Sequence, residues 1–427
     1  MYEFLLSILE DLEREQIRYC LLRDFHDLDR LAADGDVDLL VQHSHFAPLC
    51  GLLTQRGFVH LPTLGHEPHH FFVAYDEKSD RWLKFDVVTE VTYGRPIRAL
   101  RTALAEGCLR NRRRCGPIFG LTPEDELVTL LLHCVLDKAN VAAARRRRLE
   151  VLRHEVTNEH YLTTLLATYW SPTMTWPELA AQIDAGHWMA LLTEGPAVAA
   201  RLASRNPLGT LGRRIRGRVL RRLSHWTAIL RPAAPMVALL APDGAGKSTL
   251  AAGIQKSFYL PVRPVYMGLY QNGSARSAYR RLPGLGLAGR LVTQWRRYLT
   301  ARYHQARGRL VIFDRYTYDA LLTPHEDLNW LKRGRRRLLA HACPAPDLIV
   351  MLDVQGKVLH ARKGEHSATR LEQQRQRYLE LQVHLPRMIV VDATRDAEHV
   401  RRHVTALIWH GYGNRLMSNE RERTRQS

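Results

Sequence analysis

The stretch MVALLAPDGAGKSTLA, residues 236–251, decides the reading of the C-terminal half. An apolar run reads as a strand, the apolar restart after Thr249 as part of a helix, and the segment between them as a loop. Gly244 and Gly246 let the backbone turn so that successive amide N–H groups face a shared anion hole. A helix starting at Lys247 adds its positive end. The Walker pattern is a glycine, four residues, then Gly-Lys-Ser/Thr, between a strand and a helix. Ala241 stands at the first of these positions, while Gly246, Lys247 and Ser248 fit. The residues expected at a bound nucleotide are Asp243, Gly244, Ala245, Gly246, Lys247, Ser248 and Thr249. Lys247 is expected at the β- and γ-phosphates and Ser248 on Mg²⁺.

Downstream, GRLVIFDRYTYDA (308–320) is an apolar strand ending in Asp314-Arg315. An aspartate at a strand end beside a phosphate loop is the usual partner of Mg²⁺. Motor ATPases that hydrolyse ATP place a glutamate next. An arginine there suits bidentate hold on a second phosphate. No GTPase-type Asn-Lys-x-Asp is present. The expected reaction therefore passes the phosphoryl group to an acceptor, not to water. Further strands are expected at 309–313, 347–352 and 388–392. Their alternation with helices implies a parallel α/β sheet.

About 180 residues, within 234–412, resemble the thymidylate kinase family of P-loop nucleotide kinases. APDGAGKSTL is similar to the family's loop, and DRYTYD to its Asp-Arg-Tyr motif. PDLIVMLDVQGKVLHARKGE (346–365) resembles its strand and arginine-bearing lid, LEQQRQRYLEL (371–381) its next helix, and VVDATRDAEHV (390–400) its last strand and adenine-side loop. The resemblance implies ATP and Mg²⁺ as cofactors. It places Lys247 and Ser248 at ATP and the metal, Asp243 at the acceptor's sugar hydroxyl, and Asp314 near the metal. Arg315 would hold the acceptor phosphate, and Arg362 and Arg370, with Lys363, would come down over the transferring phosphoryl. The family's Arg-Glu-Pro-Gly-Gly stretch has no counterpart: VRPVYMGLYQNGSARS (262–277) stands there, followed by a basic insertion to about 306. The acceptor stays open between a nucleotide, dTMP included, and a phosphosugar.

The N-terminal part carries different chemistry. RYCLLRD (18–24) and VDLLVQ (37–42) read as strands flanking a polar, Gly-containing loop. HHFFVAYD (69–76) and RWLKFDVVTEV (81–91) read as a hairpin through Glu77–Asp80. Asp36 and Asp38 alternate on one strand, so their carboxylates share a face, and Asp86 lies on another strand. Three such carboxylates suit a two-metal nucleotidyl-transfer site. This resembles the nucleotidyltransferase superfamily and implies an α+β domain with Asp36, Asp38 and Asp86 as Mg²⁺ ligands. The family's Gly-(Gly/Ser) turn is replaced by LLRDFHDL. An acidic loop, or a domain that binds without catalysis, are the other readings of these residues. GHEPHH (65–70) has a proline and the wrong spacing for a helical zinc motif.

The expected fold is α/β, with a P-loop parallel-sheet kinase domain and an N-terminal α+β nucleotidyltransferase-like domain with a helical extension. The boundaries are 1–118 for the nucleotidyltransferase-like domain and 119–205 for the extension. The extension opens at TPEDELVTLLLHCVLDK, with a Thr cap and a first-turn Pro. A basic linker (206–233), in which RIRGRVLRRLSHWTAIL (214–230) is open to reading as a short basic helix, the kinase-like domain (234–412) and a tail (413–427) follow. At 427 residues the chain exceeds one ordinary core. The six cysteines form no C-x-x-C pair and are expected free in a reducing compartment. No apolar run nears the roughly 20 residues of a membrane span, and MYEFLLSILEDLEREQ has no basic leader, so the cytoplasm is expected.

Net charge is +19, gathered in bursts such as RNRRR (110–114), RRRR (145–148), RRIRGRVLRR (213–222) and KRGRRR (332–337). The expected partner is a small-molecule acceptor, with a homodimer left open. The alternative function is a nucleotide-gated binding protein whose basic face holds nucleic acid or an anionic glycan.

Overall fold

The apolar run at 236–240 is a strand buried along its whole length, as the centre of a sheet covered on both faces requires. It belongs to the second of two compact units, Met1–His225 and Trp226–Ser427, into which the chain divides. The computed structural model describes all residues except 62–67, 231–233, 269–284, 323–328, 365 and 425–427, and omits in addition the side chains of 34, 224–230, 285–286 and 419–424.

In the first unit the chain runs α1 (Tyr2–Arg14), β1 (Tyr19–Leu21), α2 (Leu28–Asp34), β2 (Asp36–Val41), α3 (Phe46–Gln55), β3 (Val59–Leu61), β4 (His69–Asp76) and β5 (Arg81–Val88). It continues through β6 (Thr92–Tyr93), β7 (Leu100–Arg101), α4 (Leu104–Asn111), β8 (Arg113–Cys115), β9 (Ile118–Gly120) and α5 (Pro123–Leu132). A π-helical turn, His133–Lys138, follows. Then come α6 (Ala143–Glu155), α7 (Glu159–Tyr169), α8 (Trp176–Asp184), α9 (Trp188–Thr193), α10 (Gly195–Ser204) and α11 (Pro207–Leu230). Among the described residues a seven-stranded mixed sheet has the order β3-β4-β5-β2-β1-β9-β8. β2 pairs with β5, and β1 with β9, in parallel; the other pairs are antiparallel.

The expected hairpin is present: His69 to Asp76 pair antiparallel with Val88 to Arg81. The helix at 122 is also as expected. Thr122 accepts the Asp125 N–H at 3.3 Å and a proline opens the first turn.

Three stretches differ from expectation. The polar loop before β2 contains α2, capped by Asp27, which accepts the Arg30 N–H at 3.0 Å. It is closed by Gly35 at φ +68°. The basic stretch expected as a linker, with at most a short helix at 214–230, is helical already from Pro207 to Leu230, and the division between the units falls inside it. Its Leu208, Leu211, Ile215, Val219 and Leu223 recur at helical spacing, and its arginines are good helix formers. The stretch expected as a loose tail is helical as far as Thr424.

The second unit runs β10 (Met236–Leu240), α12 (Lys247–Ser257), β11 (Val262–Tyr266), α13 (Leu285–Ala306), β12 (Leu310–Asp314) and α14 (Trp330–Ala340). β13 (Leu348–Asp353), α15 (Gly356–Lys363), α16 (Ala368–Glu380), β14 (Met388–Asp392) and α17 (Ala397–Thr424) complete it. The sheet order is β11-β12-β10-β13-β14, with every pairing parallel, so the expected α/β sheet is present. In such a sheet ligands gather outside the carboxyl ends of the strands where the order switches. β10 sits there, between β12 and β13, and its end leads into the glycine turn expected to hold phosphate.

The core of the first unit draws on residues from Leu5 to Leu202, and that of the second on residues from Met236 to Met388. The six cysteines are free. No helix among the described residues is long and apolar enough to cross a membrane.

Candidate functional site

Between β10 and α12 the chain turns through Gly244 (φ +89°) and Gly246 (φ +88°), conformations that favour glycine. A Cβ on Gly244 would lie 3.4 Å from the Leu359 carbonyl and 3.5 Å from the Lys363 Cβ, so α15 lies against the loop. Ala245 is buried, while Ser248 and Thr249 are exposed on the first turn of α12. Lys247 is only 8% exposed. Its Nζ donates to the Ala241 and Pro242 carbonyls at 2.8 and 2.9 Å and stands 3.9 Å from Asp243 Oδ1. Burial and then the Arg315 charge push its ammonium down to about 8, against the pull of Asp243, Asp314 and Asp319.

β12 delivers the next two residues. Asp314 is level with Leu239 of β10 and Tyr266 of β11, so the register carries it to the loop's side of the sheet. One of its carboxylate oxygens, Oδ1, is buried with no hydrogen-bond partner. A buried, unsatisfied acceptor is costly, and a bound cation or its water would satisfy it. Asp314 and the exposed Ser248 hydroxyl thus fit Mg²⁺ in kind.

Arg315 adopts φ +64°, a left-handed conformation that costs a non-glycine residue about 1–3 kcal/mol. Its guanidinium bonds the Asp243 carboxylate directly and lies 3.6 Å from Asp319 Oδ2. Asp319, with a side chain 7% exposed, accepts a hydrogen bond from the Tyr378 hydroxyl at 3.1 Å. Burial raises its carboxyl above the ordinary range, and Arg315 and Tyr378 oppose that rise.

Asp319 and Tyr378 were missed in the sequence. Asp319 had a local signal, four residues after Arg315 in DRYTYD. Tyr378 had none, because α16 brings it in from elsewhere.

Among the described residues, neither arginine expected in a lid hydrogen-bonds the loop. Arg362 donates through both terminal nitrogens to the Ala393 carbonyl at 3.4 Å, on the turn after β14. Arg370 is exposed and meets its helix cap, Ser367, through its backbone N–H. Of the cations expected in a lid, Lys363 has its Cβ against the Gly244 turn. A further arginine, Arg375, grips Asp353 at 2.5 and 3.0 Å and Glu372 at 2.6 Å, while Glu372 accepts the Gly356 N–H at 2.7 Å.

In the first unit, β2 and β5 do bring the three aspartates to one face. Asp38 is directly opposite Asp86, and Asp36 is opposite Lys84. Each carboxylate, however, carries a base. Lys84 Nζ is 3.0 Å from Asp36, Arg23 is 3.0 Å from Asp38, and His69 Nδ1 is 2.6 Å from Asp86. Among the described residues no group of three or more His, Cys, Asp or Glu side chains is placed to hold a metal ion. Lys84, Arg23 and His69 thus stand beside the oxygens that the expected cluster of Asp36, Asp38 and Asp86 would offer a metal. The GHEPHH stretch lies partly outside the described residues; within it, His69 serves Asp86.

Compared with protein-family models and with curated proteins, the chain matches none.

Proposed function

We propose that the second unit is an ATP-dependent phosphotransferase of the thymidylate kinase type, acting on a small nucleotide or phosphosugar. One observation carries the reading. Arg315 and Asp243, the two groups suited to an acceptor, are joined to each other within reach of Lys247. Beside them Asp314 keeps a buried oxygen unpartnered. Cations on the loop side, an arginine where hydrolases place a glutamate, and a free carboxylate oxygen together favour transfer over hydrolysis.

Ser248 and Asp314 would hold Mg²⁺, which when bound neutralises charge on the β- and γ-phosphates. Lys247 exchanges its two loop carbonyls for those phosphates. Arg315 takes the acceptor phosphate in bidentate fashion, and Asp243, released from it, accepts a hydrogen bond from the acceptor's hydroxyl. Holding both reactants in line supplies most of the catalysis such a site needs. Nucleotidyl transfer in the first unit would draw on Asp36, Asp38 and Asp86, beside which Lys84, Arg23 and His69 stand.

A second reading, a nucleotide-gated protein whose basic face holds nucleic acid or anionic glycan, draws on α14. Every charged residue of that helix is basic, and Trp330 is 77% exposed beside them.

ADP release, measured with dNMPs, NMPs and phosphosugars in turn, separates the two. A kinase releases ADP only with its acceptor, and Lys247→Ala cuts the rate more than tenfold, about 1.4 kcal/mol of barrier. Release at the same rate without any acceptor would reject the kinase reading.

A further inference from the structure

The first unit contains a cavity of about 190 Å³ beside Asp86. We propose that this cavity binds a phosphate ester or diphosphate group directly through arginine and lysine side chains, with no metal ion. The site is separate from the phosphate loop and does not depend on the kinase reading.

The cations come from three parts of the unit. Arg95 and Arg98 lie on the loop between β6 and β7, Lys138 ends the π-helical turn, and Arg221 projects from α11. Two carboxylates also line the cavity, but both are committed. Asp137 accepts the Gly94 N–H at 2.8 Å on one oxygen and faces His133 Nδ1 at 3.0 Å on the other. Asp86 is held by His69 at 2.6 Å, and His69 in turn meets Arg98 through its other ring nitrogen. Arg95 and Lys138 are exposed and have no ion-pair partner among the described residues. Partial burial, and then the charges of Arg145, Arg23 and Arg95, push the Lys138 ammonium below its ordinary value, against the pull of Asp137.

Size and chemistry narrow the ligand. The volume is below the roughly 300–1,000 Å³ of pockets that enclose a drug-sized molecule. The cavity therefore takes the charged end of a ligand. Arginine forks match phosphate oxygens in bidentate geometry, and lysine adds a point charge. The π-helical turn that carries Asp137 and Lys138 to the cavity is a feature found frequently at functional sites.

The test is calorimetric titration of the full-length protein with pyrophosphate in the presence of EDTA. Wild type is expected to show a site that Lys247→Ala leaves in place and that Arg95→Ala/Lys138→Ala weakens at least tenfold. Both of those side chains are exposed, so the double variant keeps its fold, which circular dichroism checks. The exchange Arg95→Lys/Lys138→Arg should retain binding. The proposal is overturned if Lys247→Ala abolishes all pyrophosphate binding, or if the double variant binds like wild type. It is equally overturned if binding at this site appears only with Mn²⁺ and vanishes in Asp38→Asn, the outcome a metal site would give. Binding of ATP at the phosphate loop is read separately, through Lys247→Ala, so failure of one assignment leaves the other standing.

Discussion

Lys247 shows what a single buried charge implies. Its folded value of about 8 lies below the 10.5 of the exposed group. Between those values the unfolded chain holds the extra proton, so this group makes the protein more stable as pH rises through about 8, and the gain is complete near 10.5. The full effect is about 3 kcal/mol, from about 1.4 kcal/mol per unit. Denaturant melts of wild type and Lys247→Met should therefore converge in favour of wild type between pH 7 and 9.5; parallel curves would contradict the burial argument. ATP brings negative charge to the ammonium and raises its value, so binding at pH 8.5 should take up a proton. Titration heats in two buffers of different ionisation enthalpy measure that uptake. The loop residues were legible in the sequence because their work is local: glycines for positive φ, a lysine and serine at a helix start. The bond of Arg315 to Asp243 and the reach of Tyr378 to Asp319 were not, because each joins residues far apart in the chain.

At the scale of elements, legibility followed periodicity. The hairpin of β4 and β5 alternates cleanly and turns at a polar tetrad, and α5 carries its cap, its proline and its apolar spacing in plain order. α2 is too short for helical spacing to stand out, and its closing Gly35 reads as a loop residue. The later turns of α11 were open to a helical reading, but Pro207 and the glycines obscure its start until the apolar residues between the arginines are counted at three and four. The shared face of Asp36, Asp38 and Asp86 followed from strand alternation; the bases beside them came from other elements and could not be read locally. Gly35 is where the element-scale argument is sharpest. A Cβ there would sit 2.4 Å from the Trp82 carbonyl, and φ is +68°. Gly35→Ala should destabilise the first unit by about 2 kcal/mol or more, since strain and a backbone clash add. A change below about 0.5 kcal/mol in urea melts would show that β2 and β5 can part at little cost.

For the molecule as a whole, each unit has its own buried core. Separate cores allow separate melting. Scanning calorimetry of the full chain should show two transitions, and ATP with Mg²⁺ should raise only the one that Lys247→Ala renders insensitive to nucleotide. A single transition that ATP shifts as a whole would mean that the cores melt as one. Within the second unit, the Arg375 grip has a mechanical meaning. Arg375 and Glu372 tie the end of β13, the start of α15 and the body of α16 into one corner. At Gly356 the two helices approach so closely that an added Cβ would meet the Ala368 carbonyl at 2.4 Å. Such a corner pivots like a bracket and does not flap like a hinge. Arg362 and Arg370 ride on its two arms, so a movement of the corner carries both arginines together as one event.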